Sequence, residues 1–343
     1  MPKMKHPHRP GAAAIGALGA ALLFVAACCR ADTPSAVVAA DGSGQFRTVQ
    51  EAVNAAPQAG PGARPWVIRV KPGTYRELVY VQREKRLVRL VGDDPARTIL
   101  VFGLYASLPG GDGRPIGTFR TPTLWIDADD FEVDNLTIAN SAGPRGQALA
   151  LRVDGDRVVF RNCRFQGWQD TILGNRGRHY FEGCTISGAV DFIFGAATEF
   201  YQSCAINCLG NGYITAASTP AGQPFGLVFA DCTISGGDAG VRTYLGRPWR
   251  AFASVTYLRT QMTAVVRPAG WHNWGKPDRE KTARYAECGS TGPGAANAAR
   301  VPWARTPGPA EAAAITVDRV LGGGDGWKPG HGGSAERVQG QPE

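Results

Sequence analysis

Along the middle of the chain apolar residues alternate with polar ones, and the alternation comes in copies. The segments "FEVDNLTIAN", "VVFRNCRFQG", "HYFEGCTISG", "EFYQSCAINC", "LVFADCTISG" and "VTYLRTQMTA" share one design. An aromatic or aliphatic residue is followed by two polar residues, a small or thiol residue, one polar residue and then Ile, Phe or Met. Their anchors, Leu136, Cys163, Cys184, Cys204, Cys232 and Thr260, lie 27, 21, 20, 28 and 28 residues apart. Period-two alternation belongs to strands, not helices. Repeats of this length, ending in Gly, Asn or Asp turns, predict an all-β chain wound as a right-handed parallel β-helix. Leucine-rich repeats have similar lengths, but their Leu-x-x-Leu-x-Leu signature is missing. A two-sheet sandwich explains the alternation but not the recurring thiol slot.

The ends break this pattern. In "FRTVQEAVNAAP", Thr48 is followed three residues later by Glu51, a capping box that predicts a short amphipathic helix. Such a helix would cover the open N-terminal end of the solenoid and its unpaired edges. After "STGPGAANAARVPW" the stretch "AEAAAITVDRVL" predicts a helical and loop cap at the other end. The segment "LYASLPGGDGRPIGTFRT", Leu104 to Thr121, is expected as a surface loop beside the solenoid. Residues 328–343 read as a disordered tail.

If the copies are coils, equivalent positions stack about 4.8 Å apart, and Cys163, Cys184, Cys204 and Cys232 form an interior ladder. In an exported protein an adjacent pair can oxidise, and Cys184–Cys204 is the first expectation. Cys208 and Cys288 have no assigned partner. No His lies near these thiols at zinc-ligand spacing, so no metal is expected.

At 343 residues the chain can bury a sizeable core, and Gly 45 and Pro 24 fit many turns. Residues 1–30 stand apart: basic "MPKMKHPHRP" precedes apolar "GAAAIGALGAALLFVAA", as in a secretory signal. Two outcomes stay open. Cleavage near "CCRA" would give a secreted protein. The "VAAC" ending at Cys28 also resembles a bacterial lipoprotein box, in which Cys28 would carry lipid and attach the protein to the outer membrane. Loss of this leader removes four basic residues and takes the net charge from +8 to +4. That mild bias suits an acidic polymer, and without Lys/Arg runs no nucleic acid is expected as partner.

Laying "NCRFQGWQDTILGNR" over "GCTISGAVDFIFGAA" puts Asp170 on Asp191, each seven residues after its Cys. On adjacent coils the two carboxylates would lie roughly 5 Å apart. At that distance both resist ionising together, so one pKa rises while the other stays low. A protonated acid beside a carboxylate is an acid/base catalyst beside a nucleophile. A turn-forming Asp is the plainer account, but the apolar flanks of "VDFIFG" suit a desolvated carboxylate better than a turn. Gln147 in "GQALAL" and Gln169 in "WQDT" supply neutral donors for a developing oxyanion; each could equally be a rung of an amide stack. In "YLGRPW", Arg247 can grip a carboxylate in a fixed orientation, and Trp249 can stack on a sugar. No Gly-x-Ser-x-Gly elbow, P-loop or dinucleotide fingerprint is present.

These motifs together resemble one family. "DGSGQFRTVQEAVNAAP", "GTYRE", "GQALAL", "QDT", "DFIFG" and "LGRPW" come in the order and rough spacing of the pectin methylesterases, from about Asp41 to Trp303. The resemblance implies a pectin-lyase-like solenoid over residues 36–325 that acts without cofactor or metal, as a monomer, on methyl-esterified homogalacturonan. By that resemblance Asp191 is the nucleophile, Asp170 the general acid and base, Gln147 and Gln169 the oxyanion hole, and Arg247 the holder of Asp191. Trp249 lines the sugar cleft, with Phe194 and Trp271 as further substrate-contacting aromatics. Two departures bear on the sugar wall. "AGPRGQALAL" lacks the family's His before the Gln and is one residue shorter, and "QDTILG" lacks the usual aromatic. Another action on polysaccharide in the same architecture, as lyase or glycoside hydrolase, or on a different ester, is the alternative reading, because carboxylates about 5 Å apart also suit a retaining glycosidase.

Overall fold

The computed structural model describes residues 1–2, 33–60, 62–238, 240–295 and 299–330. Beyond residues 1 and 2, the expected leader with Cys28 falls outside these ranges, as does the tail after residue 330.

The alternating copies form the coils of a right-handed parallel β-helix. One face is a ten-stranded sheet running from Ala36–Val38 to Arg284–Cys288, with neighbouring strands parallel. Thirteen more strands make two further faces. These two are joined where the long strands Thr185–Gly195 and Ala205–Ala217 turn the corner between them. Between the ten-stranded face and the next, each coil turns on a left-handed residue just before its anchor. Asn135, Asn162, Ser203, Asp231 and Arg259 all have φ between 47° and 58°, and Gly183 has 61°. Asn, Asp and Gly tolerate this conformation best, which is why the copies recur with those residues before the Cys slot.

Inside, the repeat stacks like on like. Phe160, Phe181, Tyr201, Phe229 and Tyr257 form a ladder with ring centroids 4.4–4.7 Å apart and planes within 15°. All five are buried. Burial of each ring stabilises by roughly 2–3 kcal/mol, and Phe181→Ala would cost about 3–5 kcal/mol by opening a cavity between two stacked neighbours. The anchors beside them are equally dry: Cys163, Cys184, Cys204 and Cys232 are each 1% exposed.

The expected Cys184–Cys204 disulfide does not form; all six described cysteines are free. Parallel coils hold equivalent side chains a full strand spacing apart and aimed the same way, whereas a disulfide needs Cβ atoms at about 3.8 Å. The thiols instead approach backbone carbonyls, Cys163 Sγ to Val133 O at 3.4 Å and Cys232 Sγ to Tyr201 O at 3.4 Å.

The N-terminal helix is Val49–Ala55, with both halves of the Thr48/Glu51 capping box made at 3.2 Å. Glu77 of "GTYRE" accepts from Val49 N and Gln50 N at 2.8 and 2.9 Å, filling two more orphan donors. Leu104–Thr121 is the expected loop beside the solenoid, and Ala106 N donates to Gln147 O at 2.8 Å. The C-terminal pattern divides into Pro309–Ala313 and Val317–Leu321, since Thr316 caps the second helix by accepting from Arg319 N at 3.3 Å. Both pack on the outer side of the ten-stranded sheet, against Tyr180, Phe200 and Val228. Order runs past the expected start of the tail: Lys328 pairs with Asp318 at 3.6 Å, and Pro329 O accepts from Arg161 at 3.1 Å.

Candidate active site

The two aspartates meet on the outer side of one face. Strand Ile172–Gly174 pairs with Thr185–Gly195 in the register Ile172↔Ile193, which sets Asp170 opposite Asp191, one strand spacing away. Asp170 N donates to Val190 O at 3.0 Å. Both residues are left-handed, with φ 61° at Asp170 and 49° at Asp191. The register against the next coil also shifts on either side of Val190. Such an irregularity re-aims side chains at the corner of a sheet, and here it swings both carboxyls out of the ladder. Asp170 and Asp191 are nonetheless only 9% and 5% exposed.

What separates them is a cation. Arg247 Nε and Nη2 donate to the two oxygens of Asp191 at 2.9 and 2.6 Å. The carboxyl of Asp170 has no hydrogen bond to any described residue. Burial first, then the charge of Asp191, pushes Asp170 up to about 8, while Arg247 pulls the other way. Burial also raises Asp191, but its bond and charge pairing with Arg247 oppose that rise. Of the two, Asp170 is the one pushed far enough to hold a proton at neutral pH, and the pairing with Arg247 favours the ionised form of Asp191.

Arg247 is held from both sides. Its guanidinium carbon sits 3.8 Å from the ring centre of Tyr213 and 3.7 Å from that of Trp274. Arg247 N donates to Thr215 O and Trp249 N to Ala217 O, both at 2.9 Å, so the "GRPW" segment tracks the neighbouring coil. Gly246 is required there, because an added Cβ would collide with Thr215 Oγ1.

Gln147 and Gln169 stack by parallel bridges, and Gln169 bridges on to Val190 beside Asp191. Neither side-chain amide bonds to a described residue, and Gln147 is exposed while Gln169 is half-buried. Two unengaged amides beside a buried carboxyl pair are free to donate to an oxygen that gathers negative charge.

The aromatic expectations divide. Trp249 is half-buried and meets Phe194 edge-on at 5.8 Å. Phe194 is 4% exposed and forms the floor beneath it with Leu149, Leu173 and Ala216. Trp271 does not face a substrate. It is 1% exposed and extends the interior aromatic ladder between Tyr257 and Tyr285 at 5.8 and 4.5 Å. Trp271 bridges Gly246 on the next coil and points inward, whereas Trp274 reaches the outer side. Trp274 and Tyr213 are the residues that sequence reasoning missed, and the second Trp of "GWHNW" was the available signal for one of them.

Among the described residues no cluster of His, Cys, Asp and Glu is arranged to hold a metal ion. A family profile for Pectinesterase matches residues 35–324. Pectinesterase 31 of Arabidopsis thaliana is 42% identical over 274 residues, covering 78% of this chain and 86% of that protein. The solved pectin methylesterase from carrot superposes with a TM-score of 0.80 at 34% identity, over 86% of this chain and 95% of the carrot chain. A pectin methylesterase solved in complex with a hexasaccharide superposes at TM-score 0.74 and 30% identity, over 87% of this chain and 99% of that one.

Proposed function

The chain belongs to the pectinesterase family, a carboxylic ester hydrolase by that membership, and we propose that it demethylates esterified polygalacturonan with Asp191 as nucleophile. The observation that carries the assignment is the asymmetry of the pair. Asp191 is gripped in bidentate fashion by Arg247, while the carboxyl of Asp170 beside it has no such partner and burial pushes it up to about 8.

The Asp191 carboxylate attacks the ester carbonyl. The carbonyl oxygen gathers negative charge, which the amides of Gln147 and Gln169 stabilise. Collapse breaks the C–O bond to methoxide, and Asp170 gives its proton so that methanol leaves. Asp191 is then acylated and neutral. Asp170, now ionised, takes a proton from water as that water attacks the acyl carbon. The galacturonate leaves, and both aspartates return to their starting states. Arg247 keeps Asp191 aimed throughout, and Trp249 over Phe194 offers a sugar-stacking wall.

Purified mature protein should release methanol from highly methylated pectin without lowering its viscosity. A fall in viscosity without methanol would replace this reading with the lyase or glycosidase one. The polymer is an extracellular one, so we place the protein outside the cell; attachment through Cys28 is the further reading of the leader. Incorporation of labelled palmitate that is lost in Cys28→Ala would support attachment, and an unlabelled parent would leave a secreted enzyme.

A further inference from the structure

The catalytic face carries one outward position in register from coil to coil. Phe194 pairs with Leu173, Leu173 with Arg152, Arg152 with Trp125, and Trp125 with Tyr80. The flanking residues of each strand point into the core, so this file lies on the outer side of the sheet, open at Tyr80 and covered at Leu173 and Phe194, which are 0% and 4% exposed. It leads from the floor of the active site to a point four strand spacings away, roughly 19 Å.

The far end of that file is an exposed aromatic surface. Tyr80 is 39% exposed, and Phe119, from the loop alongside, is 47% exposed. Tyr80 and Trp125 lie 5.0 Å apart at 55°. Both are fixed by one carboxylate, since Asp127 accepts from Tyr80 Oη at 2.7 Å and from Trp125 Nε1 at 2.6 Å. Arg152 is wedged with its guanidinium carbon 4.1 Å from the Trp125 ring centre and 5.7 Å from that of Phe119. Rings pinned this firmly lose little freedom on binding, and exposed aromatic surface of this kind marks an interaction site.

Charge selects the occupant. Arg152 is matched by Asp154 at 2.6 Å, so its cation is already used, and Asp127 leaves the surface with a negative charge among its rings. Beside Asp127 an ionised galacturonate gains no counter-ion from Arg152, whereas an esterified one offers an apolar sugar face and a methyl group. We infer that Tyr80, Trp125 and Phe119 form a distal subsite that holds esterified residues of the same galacturonan chain whose ester lies at Asp191. This rests on the pectinesterase reading for its ligand, and on the continuous file from Phe194 to Tyr80 for its place.

The test compares the parent with Tyr80→Ala/Phe119→Ala and with Tyr80→Phe, which keeps the ring. Binding is read by native electrophoresis through gels of highly esterified pectin or of polygalacturonate, and turnover by methanol release. The double variant should bind esterified pectin about tenfold more weakly and show KM on that polymer raised by about the same factor. Its kcat, and its turnover of a methyl-esterified trigalacturonate too short to span the file, should match the parent. Tyr80→Phe, which keeps the ring and loses its bond to Asp127, should fall between the parent and the double variant. Unchanged affinity for pectin would overturn the inference. So would an equal loss on the trimer, or parent binding to polygalacturonate tighter than to pectin. A parent that binds pectin through these rings yet releases no methanol would sink the pectinesterase reading alone.

Discussion

Two polar slots recur from coil to coil in this chain, and they met opposite fates. The thiol slot at Cys163, Cys184, Cys204 and Cys232 faces the core, is 1% exposed at each rung, and sets its sulfurs against backbone carbonyls within an apolar interior. The carboxylate slot at Asp170 and Asp191 lies seven residues further on, past the corner, where the ladder slips and the side chains turn outward. Stacking alone makes neither slot reactive. In the proposed mechanism the difference comes from one asymmetric neighbour, Arg247, which gives one rung a counter-ion and leaves the other to burial.

Substitutions can break the comparison, and the largest effects belong to the carboxylates. Asp191→Asn should cut methanol release by on the order of 10⁴-fold or more, because it removes the nucleophile itself. Substantial residual turnover would take Asp191 out of that role. Arg247→Lys should lose about 100-fold in kcat despite keeping the charge, since an ammonium cannot copy the two-point grip between Tyr213 and Trp274. A near-normal rate would make the fork geometry irrelevant.

Asp170 sharpens the comparison through pH. Its pKa in the fold is pushed up to about 8, well above the ordinary Asp value of 3.8. The folded protein therefore holds a proton that the unfolded chain releases. The stabilisation from that proton is complete below pH 4 and disappears as pH rises through 8. Two outcomes follow. The parent's kcat should fall above about pH 8 as the acid ionises. Asp170→Asn, although inactive, should be more stable than the parent at pH 8 by roughly 5 kcal/mol in denaturant titrations, with no gain at pH 3.

The smallest effect belongs to the thiol slot. Cys184→Ala should cost roughly 1–2 kcal/mol of stability through a small cavity and leave kcat unchanged. Reductant should not alter the midpoint of unfolding, since the ladder is unbridged; a fall on reduction would restore the disulfide.

Much of this contrast was legible in the chain. The copies announce the coils because each must refill the same interior slots, and the αL residues before them repeat for steric reasons. Superposing two copies predicted that Asp170 and Asp191 would sit on adjacent coils, and "LGRPW" supplied the arginine that meets Asp191. Tyr213 stayed hidden because it holds Arg247 by its ring, across a coil boundary that no local spacing marks. Trp271 and Trp274 were exchanged for a related reason. Which of two tryptophans three residues apart faces inward depends on the bridge from Trp271 to Gly246, a long-range register. The disulfide expectation failed because stacking proximity was taken without the direction of the Cβ bonds.

The division of labour between Asp170 and Asp191 is tested most directly by titrating them. Protein labelled with ¹³C at the Asp carboxyl carbons would be followed by NMR from pH 4 to 10, beside Asp170→Asn. The account predicts one carboxyl titrating near pH 8 in the parent and missing from the variant. If every Asp carboxyl of the parent titrated in the ordinary range near 4, Asp170 would hold no proton to give to methanol, and the proposed roles would fail.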